Sequence, residues 1–132
     1  MKNSFSPGCV KVYRKTVTES DFARFESGLV HPVCSTFALG QAMEWASRLF
    51  VLEMKDPDEE GIGTMLHIDH VGPALEGEEL EIRAEFKELK GNFLLCDITV
   101  KAGERLVATG QTGQKILKKE KIERLLTNSR GS

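Results

Sequence analysis

Ser35-Thr36-Phe37-Ala38-Leu39-Gly40-Gln41-Ala42-Met43-Glu44-Trp45-Ala46-Ser47-Arg48-Leu49-Phe50-Val51-Leu52-Glu53-Met54 decides how the rest of this chain must fold. Starting at Ser35 or Thr36, either of which suits a cap, it predicts one helix to about Met54, roughly 27 Å long. Phe37, Ala38, Leu39, Ala42, Met43, Trp45, Ala46, Leu49, Phe50, Val51 and Leu52 cover most of its circumference. A helix so apolar is expected to be buried on nearly all sides. Its polar stripe is Gln41, Glu44 and Arg48, spaced i, i+3, i+7.

Downstream, Asp56-Pro57-Asp58-Glu59-Glu60-Gly61 reads as an exposed exit loop, and beyond it the hydrophobic period changes to two. Thr64, Leu66, Ile68 and His70 share one strand face, and Met65, His67, Asp69 and Val71 share the other. Leu80, Ile82, Ala84 and Phe86 alternate with charged residues, as do Leu94, Cys96, Ile98 and Val100 after a turn at Lys90-Gly91-Asn92. A turn at Ala102-Gly103 leads into a last strand from Leu106 to Leu117. Such alternation predicts an antiparallel sheet with one covered face. Upstream, Cys9 to Val17 reads as a strand with Val10 and Val12 on one face and Lys11 on the other. Thr18 with Asp21 suggests a capped helical turn through Phe25, followed by a loop at Gly28 and Pro32. The segment 118–126 reads as a short amphipathic helix with Ile122, Leu125 and Leu126 on its apolar side.

One strand, one long apolar helix and about four alternating strands have an economical packing, in which the sheet curls around the helix. The expectation is an α+β hotdog fold, an antiparallel sheet of about five strands around a central helix. At 132 residues the chain is a single domain over 1–132, with its core at about 9–117. A single curved sheet leaves an edge strand and part of the helix uncovered, which favours a dimer.

Eighteen basic and 20 acidic residues give a net charge of −2, so neither nucleic acid nor an anionic membrane has an electrostatic footing. No apolar run approaches the roughly eighteen residues that span a bilayer. Met1 to Gly8 has no apolar stretch of the secretory kind, and the expected location is cytoplasmic. Cys9, Cys34 and Cys96 are odd in number and far apart, which argues against both disulfides and a zinc site.

Thr36 and Glu44 lie eight positions apart, about 12 Å along a helix axis, too far to touch but suited to flanking a ligand. Each also has a plainer reading: Thr36 as an N-cap, a role Ser35 could equally fill, and Glu44 as an i, i+4 partner of Arg48. His70 points inward with Leu66 and Ile68, as a core histidine or as an acid–base group. His67 and His70 face opposite ways on a strand, so they do not form a metal site. His31 reads as surface or the rim of a site. Cys34 near a helix start is a nucleophile or, more simply, a buried thiol. Gly110 and Gly113 inside the last strand read as a bulge or a close approach. The basic tail (Lys115, Lys118, Lys119, Lys121, Arg124) reads as a solvated helix face.

The stretch Val33 to Ala46 resembles the fluoroacetyl-CoA thioesterase-like branch of the hotdog thioesterases. That branch carries a threonine just before the central helix and then a Met-Glu-Trp-Ala run, here Met43-Glu44-Trp45-Ala46. Thr36 and Glu44 reproduce its spacing of eight. Gly63-Thr64-Met65-Leu66-His67-Ile68-Asp69-His70 resembles the family's Gly-Thr strand ending in a histidine, with Pro73 and Gly77 following. The resemblance implies hydrolysis of short or compact acyl-CoA thioesters by a homodimer or an assembly of such dimers, with sites at the interface and no cofactor or metal. It implies Thr36, Glu44 and His70 as the catalytic set and Gly63, Ser35 and Phe37 as substrate contacts. Glu44 would activate water or attack the carbonyl itself, Thr36 and the first helical N–H groups would hold the thioester oxygen, and His70 would orient Thr36. Phe37, Met43, Trp45 and Phe50 are expected around the glutamate, leaving no long acyl groove. There is one departure: Glu26-Ser27-Gly28-Leu29-Val30-His31-Pro32 lacks the phenylalanines that the family's fluoroacetyl specialist carries before its threonine. A non-hydrolytic acyl-CoA binder, or a dehydratase or hydratase using His70 with Asp69, are the rival readings.

Overall fold

Five strands, all antiparallel to their neighbours, form the scaffold in the computed structural model, which describes residues 1–131. They are β1 (Val10–Thr16), β4 (Glu59–His70), β5 (Glu79–Lys90), β6 (Phe93–Ala102) and β7 (Arg105–Lys118), hydrogen-bonded in the order β1-β5-β6-β7-β4. Between β1 and β4 the chain makes a two-stranded ribbon, β2 (Phe22–Phe25) and β3 (Gly28–Cys34), and then the helix α1 (Thr36–Met54). A second helix, α2 (Lys119–Gly131), follows β7. This is the hotdog architecture that the hydrophobic pattern predicts.

The period-two reading of the central strands corresponds to the ladder. Leu80 faces Ala102, Ile82 faces Val100 and Ala84 faces Ile98, all buried on the side that receives the helix. Leu39, Met43, Ala46, Phe50 and Val51 of α1 fill that concave face. Phe50 meets the ring of Phe86 at 5.8 Å and that of Phe5 at 4.9 Å. Each such side chain removed from water contributes about 1.5–3 kcal/mol.

The helix is not buried on nearly all sides. Its outward flank keeps Phe37 84 % exposed, with Trp45 and Leu52 also open. A single sheet can wrap only one side of a cylinder, so the apolar excess on α1 faces outward.

Three local readings need correction, and one is completed. On β1, Val10 and Val12 share one face and Lys11 the other, as the alternation predicts, and the covered face is that of Lys11, Tyr13 and Lys15, leaving Val12 exposed. The register decides this: Lys11 pairs with the buried Ala84 and Tyr13 with the buried Ile82, whereas Val12 pairs with outward Arg83. The lysine stems cover apolar surface at the sheet edge, and their ammonium groups pair with Glu53 from Lys11 and with the buried Asp21 at 2.9 Å from Lys15. The capping box of Thr18 and Asp21 forms, yet it starts only one 3-10 turn (Glu19–Asp21), and the expected helical turn to Phe25 and the loop at Gly28 are instead the β2–β3 ribbon. Glu59 and Glu60 belong to β4 rather than to an exit loop, and Glu59 is buried, accepting the Asp56 N–H at 2.8 Å. The last helix runs to Gly131 instead of Leu126 and buries none of its residues.

Gly110 and Gly113 are close approaches. The register shift near them lies in β4, between Gly63 and Met65, not at the glycines of β7. A Cβ on Gly110 would stand 2.0 Å from the His67 carbonyl oxygen, and one on Gly113 would stand 2.5 Å from the Phe93 ring. Among the described residues no helix is long and apolar enough to cross a membrane.

Candidate active site

The start of α1 is capped by Ser35, whose Oγ accepts the Ala38 N–H at 3.0 Å. That leaves the neighbouring hydroxyl free for another partner. Thr36 Oγ1 lies 2.9 Å from Nδ1 of His70, the last residue of β4. Leu66, Ile68 and His70 alternate on the side of β4 that faces the helix. Just beyond, Val71 and Gly72 both donate to the Val107 carbonyl, fixing the strand end that carries the histidine. The first helical N–H groups, on Thr36 and Phe37, have no protein acceptor among the described residues. Positive dipole and open donors therefore sit beside the Thr36–His70 pair.

Glu44 is two turns further along the same helix face. Its expected partner Arg48 is engaged elsewhere: Arg48 Nη2 donates to Glu60 Oε1 at 2.7 Å. The Gly61 N–H and that guanidinium hold the Glu60 carboxyl below the usual carboxylate range. Glu44 is left with no hydrogen bond or ion pair to its carboxylate among the described residues. Its oxygens pack against Gly63, where an added Cβ would be 3.4 Å from Oε2. The turn of helix that carries Glu44 is tied from below. Buried Gln114 of β7 donates to the Glu44 carbonyl at 3.1 Å and to Ser47 Oγ at 2.9 Å.

Thr36 and Glu44 border one groove of about 410 Å³ with Gly40, Leu66 and Ile68 between them, within the range of small-ligand sites. Glu44 and Gly63 border a second depression with Gln114, and Thr36 and Phe37 border a third with Ser35, Phe22 and Phe25. Gln41 lies on all three. The arrangement brings a hydroxyl–imidazole pair, free helical N–H groups and an unpaired carboxylate to the rim of one apolar groove. Groups of these types are able to polarise a carbonyl and to take a proton from water.

The residues singled out in the sequence fall as follows. Thr36, Phe37, Glu44 and Gly63 face the connected grooves, and Ser35 reaches them while its hydroxyl serves as the cap. Met43 and Phe50, expected around the glutamate, point into the core instead, and Phe37 and Trp45 alone face the site side. His67 turns outward and pairs with Asp69 at 3.0 Å, so Asp69 is not available to His70. Cys34 is fully buried, and burial, with nearby Asp21 adding to it, pushes its thiol up to about 11, unsuited to a nucleophile. Among the described residues no cluster of three His, Cys, Asp or Glu residues could hold a metal ion.

Three further residues border the site without being legible as such in the sequence. Gln114 is one of three polar residues (Thr112, Gln114, Ser47) buried between α1 and β7, and a glutamine at an inward position of an alternating strand was the available signal. The aromatics that reach the threonine come from Phe22 and Phe25, brought there by the unanticipated ribbon.

A family model described as fluoroacetyl-CoA-specific thioesterase, FlK, matches residues 17–120. No curated protein matches the chain. A thioesterase superfamily member from Thermus thermophilus, described as a hypothetical protein, is 31 % identical; the match covers 96 % of this chain and 93 % of that one, with a TM-score of 0.91. The fluoroacetyl-CoA thioesterase FlK is 18 % identical over 96 % of this chain and 98 % of its own, with a TM-score of 0.88. A hot-dog-like protein from Thermanaerovibrio acidaminovorans is also 18 % identical, over 97 % of this chain and 95 % of its own, with a TM-score of 0.88.

Proposed function

The chain belongs to the fluoroacetyl-CoA-specific thioesterase family, and from that premise we propose that it hydrolyses short or compact acyl-CoA thioesters to the free acid and CoA. The observation that carries this reading is the Thr36–His70 contact at 2.9 Å, set at one end of a groove whose other end holds the unpaired Glu44 carboxylate.

Glu44 takes a proton from water, and the resulting hydroxide adds to the thioester carbon. The carbonyl electrons move to oxygen, which is held by the Thr36 hydroxyl and the free N–H groups of the first turn. Collapse of the tetrahedral adduct expels the CoA thiolate, and the proton held on Glu44 completes the thiol. Direct attack by the carboxylate would pass through a mixed anhydride and reach the same products. His70 fixes the Thr36 rotamer. With Nδ1 unprotonated it accepts the threonine proton, and with Nδ1 protonated it leaves that proton free for the substrate oxygen.

Release of free thiol from acetyl-, fluoroacetyl-, propionyl- and benzoyl-CoA is the test. The expected result is turnover by the unaltered protein and a fall of about 10²-fold in kcat for Thr36→Ala and for His70→Ala. Saturable acyl-CoA binding without thiol release would make the protein a binder and overturn the reading.

We further propose that the active form is a homodimer. β4 is a twelve-residue strand at the sheet edge, and beside it the outward flank of α1 exposes Phe37 and Trp45. An edge of that length with an adjoining apolar surface is suited to pairing with a second copy. Sedimentation at low micromolar concentration should give twice the chain mass. A stable, fully active monomer is the result that overturns it.

A further inference from the structure

α1 carries a buried glycine in its interior, where glycine is less stable than alanine. Gly40 lies one turn after Thr36 and one turn before Glu44, so these three residues occupy successive turns of one helix face. Opposite it stands Leu66 of β4: a Cβ on Gly40 would meet Leu66 Cδ2 at 3.0 Å. The bare backbone thus leaves open the floor between the hydroxyl and the carboxylate, and the leucine forms the facing wall of the groove.

From this juxtaposition we propose that Gly40 and Leu66 set the bulk of the acyl group, and that the substrates are thioesters of compact aliphatic acids a few carbons long. The inference rests on the thioesterase reading above and adds to it the two residues that gauge the acyl chain. An acyl carbon placed between Thr36 and Glu44 lies across Gly40 and against the aliphatic side chains of Leu66 and Ile68. The unpaired Glu44 carboxylate repels acyl groups that end in a second carboxylate, so the class is neutral. A methyl at position 40 would occupy the space of an acyl methylene, whereas removing the leucine would create room for more.

The experiment compares kcat/KM for acetyl-, butyryl- and hexanoyl-CoA in the unaltered protein, Gly40→Ala and Leu66→Ala, with thermal unfolding of each. Hydrophobic pockets discriminate by roughly tenfold or more per methylene. Leu66→Ala is expected to raise the hexanoyl-to-acetyl ratio by about tenfold or more, and Gly40→Ala to lower it by a similar factor. Both variants should fold: Leu66 is 42 % exposed, and the atom nearest a Cβ at position 40 is the far end of a flexible side chain. A purely structural role would move the unfolding temperature and change all three substrates alike. A ratio that stays unchanged in either variant, or an equal loss at every chain length, overturns the proposal. Thiol release from none of the three thioesters by the unaltered protein would overturn the hydrolase reading itself, and this inference with it.

Discussion

Glu44→Gln is expected to lose at least about 10²-fold in kcat for thioester hydrolysis while its unfolding temperature stays within a degree or two. The amide preserves the shape of the side chain and removes the negative charge and basicity. Both routes to hydrolysis need them, whether the group removes a proton from water or attacks the carbonyl. Stability should hold because the charge has no structural partner. Arg48, which i, i+4 spacing would pair with it, is bonded to Glu60 at 2.7 Å, so neutralising Glu44 strands no buried cation. The tie between α1 and β7 runs through the Glu44 backbone carbonyl and Gln114, which the substitution leaves intact. Thiol-release kinetics with a thermal melt on the same sample make the comparison. A glutamine variant that turns over at the unaltered rate would remove Glu44 from the chemistry.

Gly110→Ala is expected to be the most damaging small substitution in the sheet, costing about 3 kcal/mol or more. Gly110 is flanked in the ladder by Ile98 on β6 and Ile68 on β4. The added methyl would stand 2.0 Å from the His67 carbonyl oxygen and 2.7 Å from Met43 Cε. A methionine terminus can move aside, but a strand carbonyl can do so only by spreading the β4–β7 pairing. That pairing carries both His70 and Gly63, so any protein that still folds should also lose activity. For a domain of this size the unfolding temperature should drop by about 10 °C or more. A variant that melts with the unaltered protein would show that the ladder yields more easily than this packing implies.

Parts of the molecule were legible in advance because a single physical requirement acted on many residues at once. The runs from Leu80 to Phe86 and from Leu94 to Val100 alternate because one face of the sheet must leave water, and their register follows from that face. The nineteen residues of α1 carry their own period and their own cap at Ser35. Once that helix is placed, Thr36 and Glu44 share a face by spacing alone, and the inward phase of Leu66 and Ile68 aims His70 at the helix. The β2–β3 ribbon was not legible. Its strands are short, Pro32 interrupts one of them, and its register shifts twice in four pairs, so no period has room to develop. The sidedness of β1 was likewise hidden, because an edge strand can cover the core with lysine stems as well as with valines.

The sequence by itself determined the long helix, the five strands of the main sheet, their order and which side of the central strands is dry, since burial acts locally and repeats along the chain. Only the tertiary structure decided who pairs with whom across long separations. Arg48 reaches Glu60 instead of Glu44, Ser35 rather than Thr36 takes the cap, and Thr36 meets His70 from 34 residues away. The third requires the sheet to carry the end of β4 to the start of the helix. The first two are competitions between nearly equal partners, worth about 1 kcal/mol or less at the surface. Such differences are too small for a sequence pattern to reveal, and they are resolved once the packed core fixes which groups lie within reach.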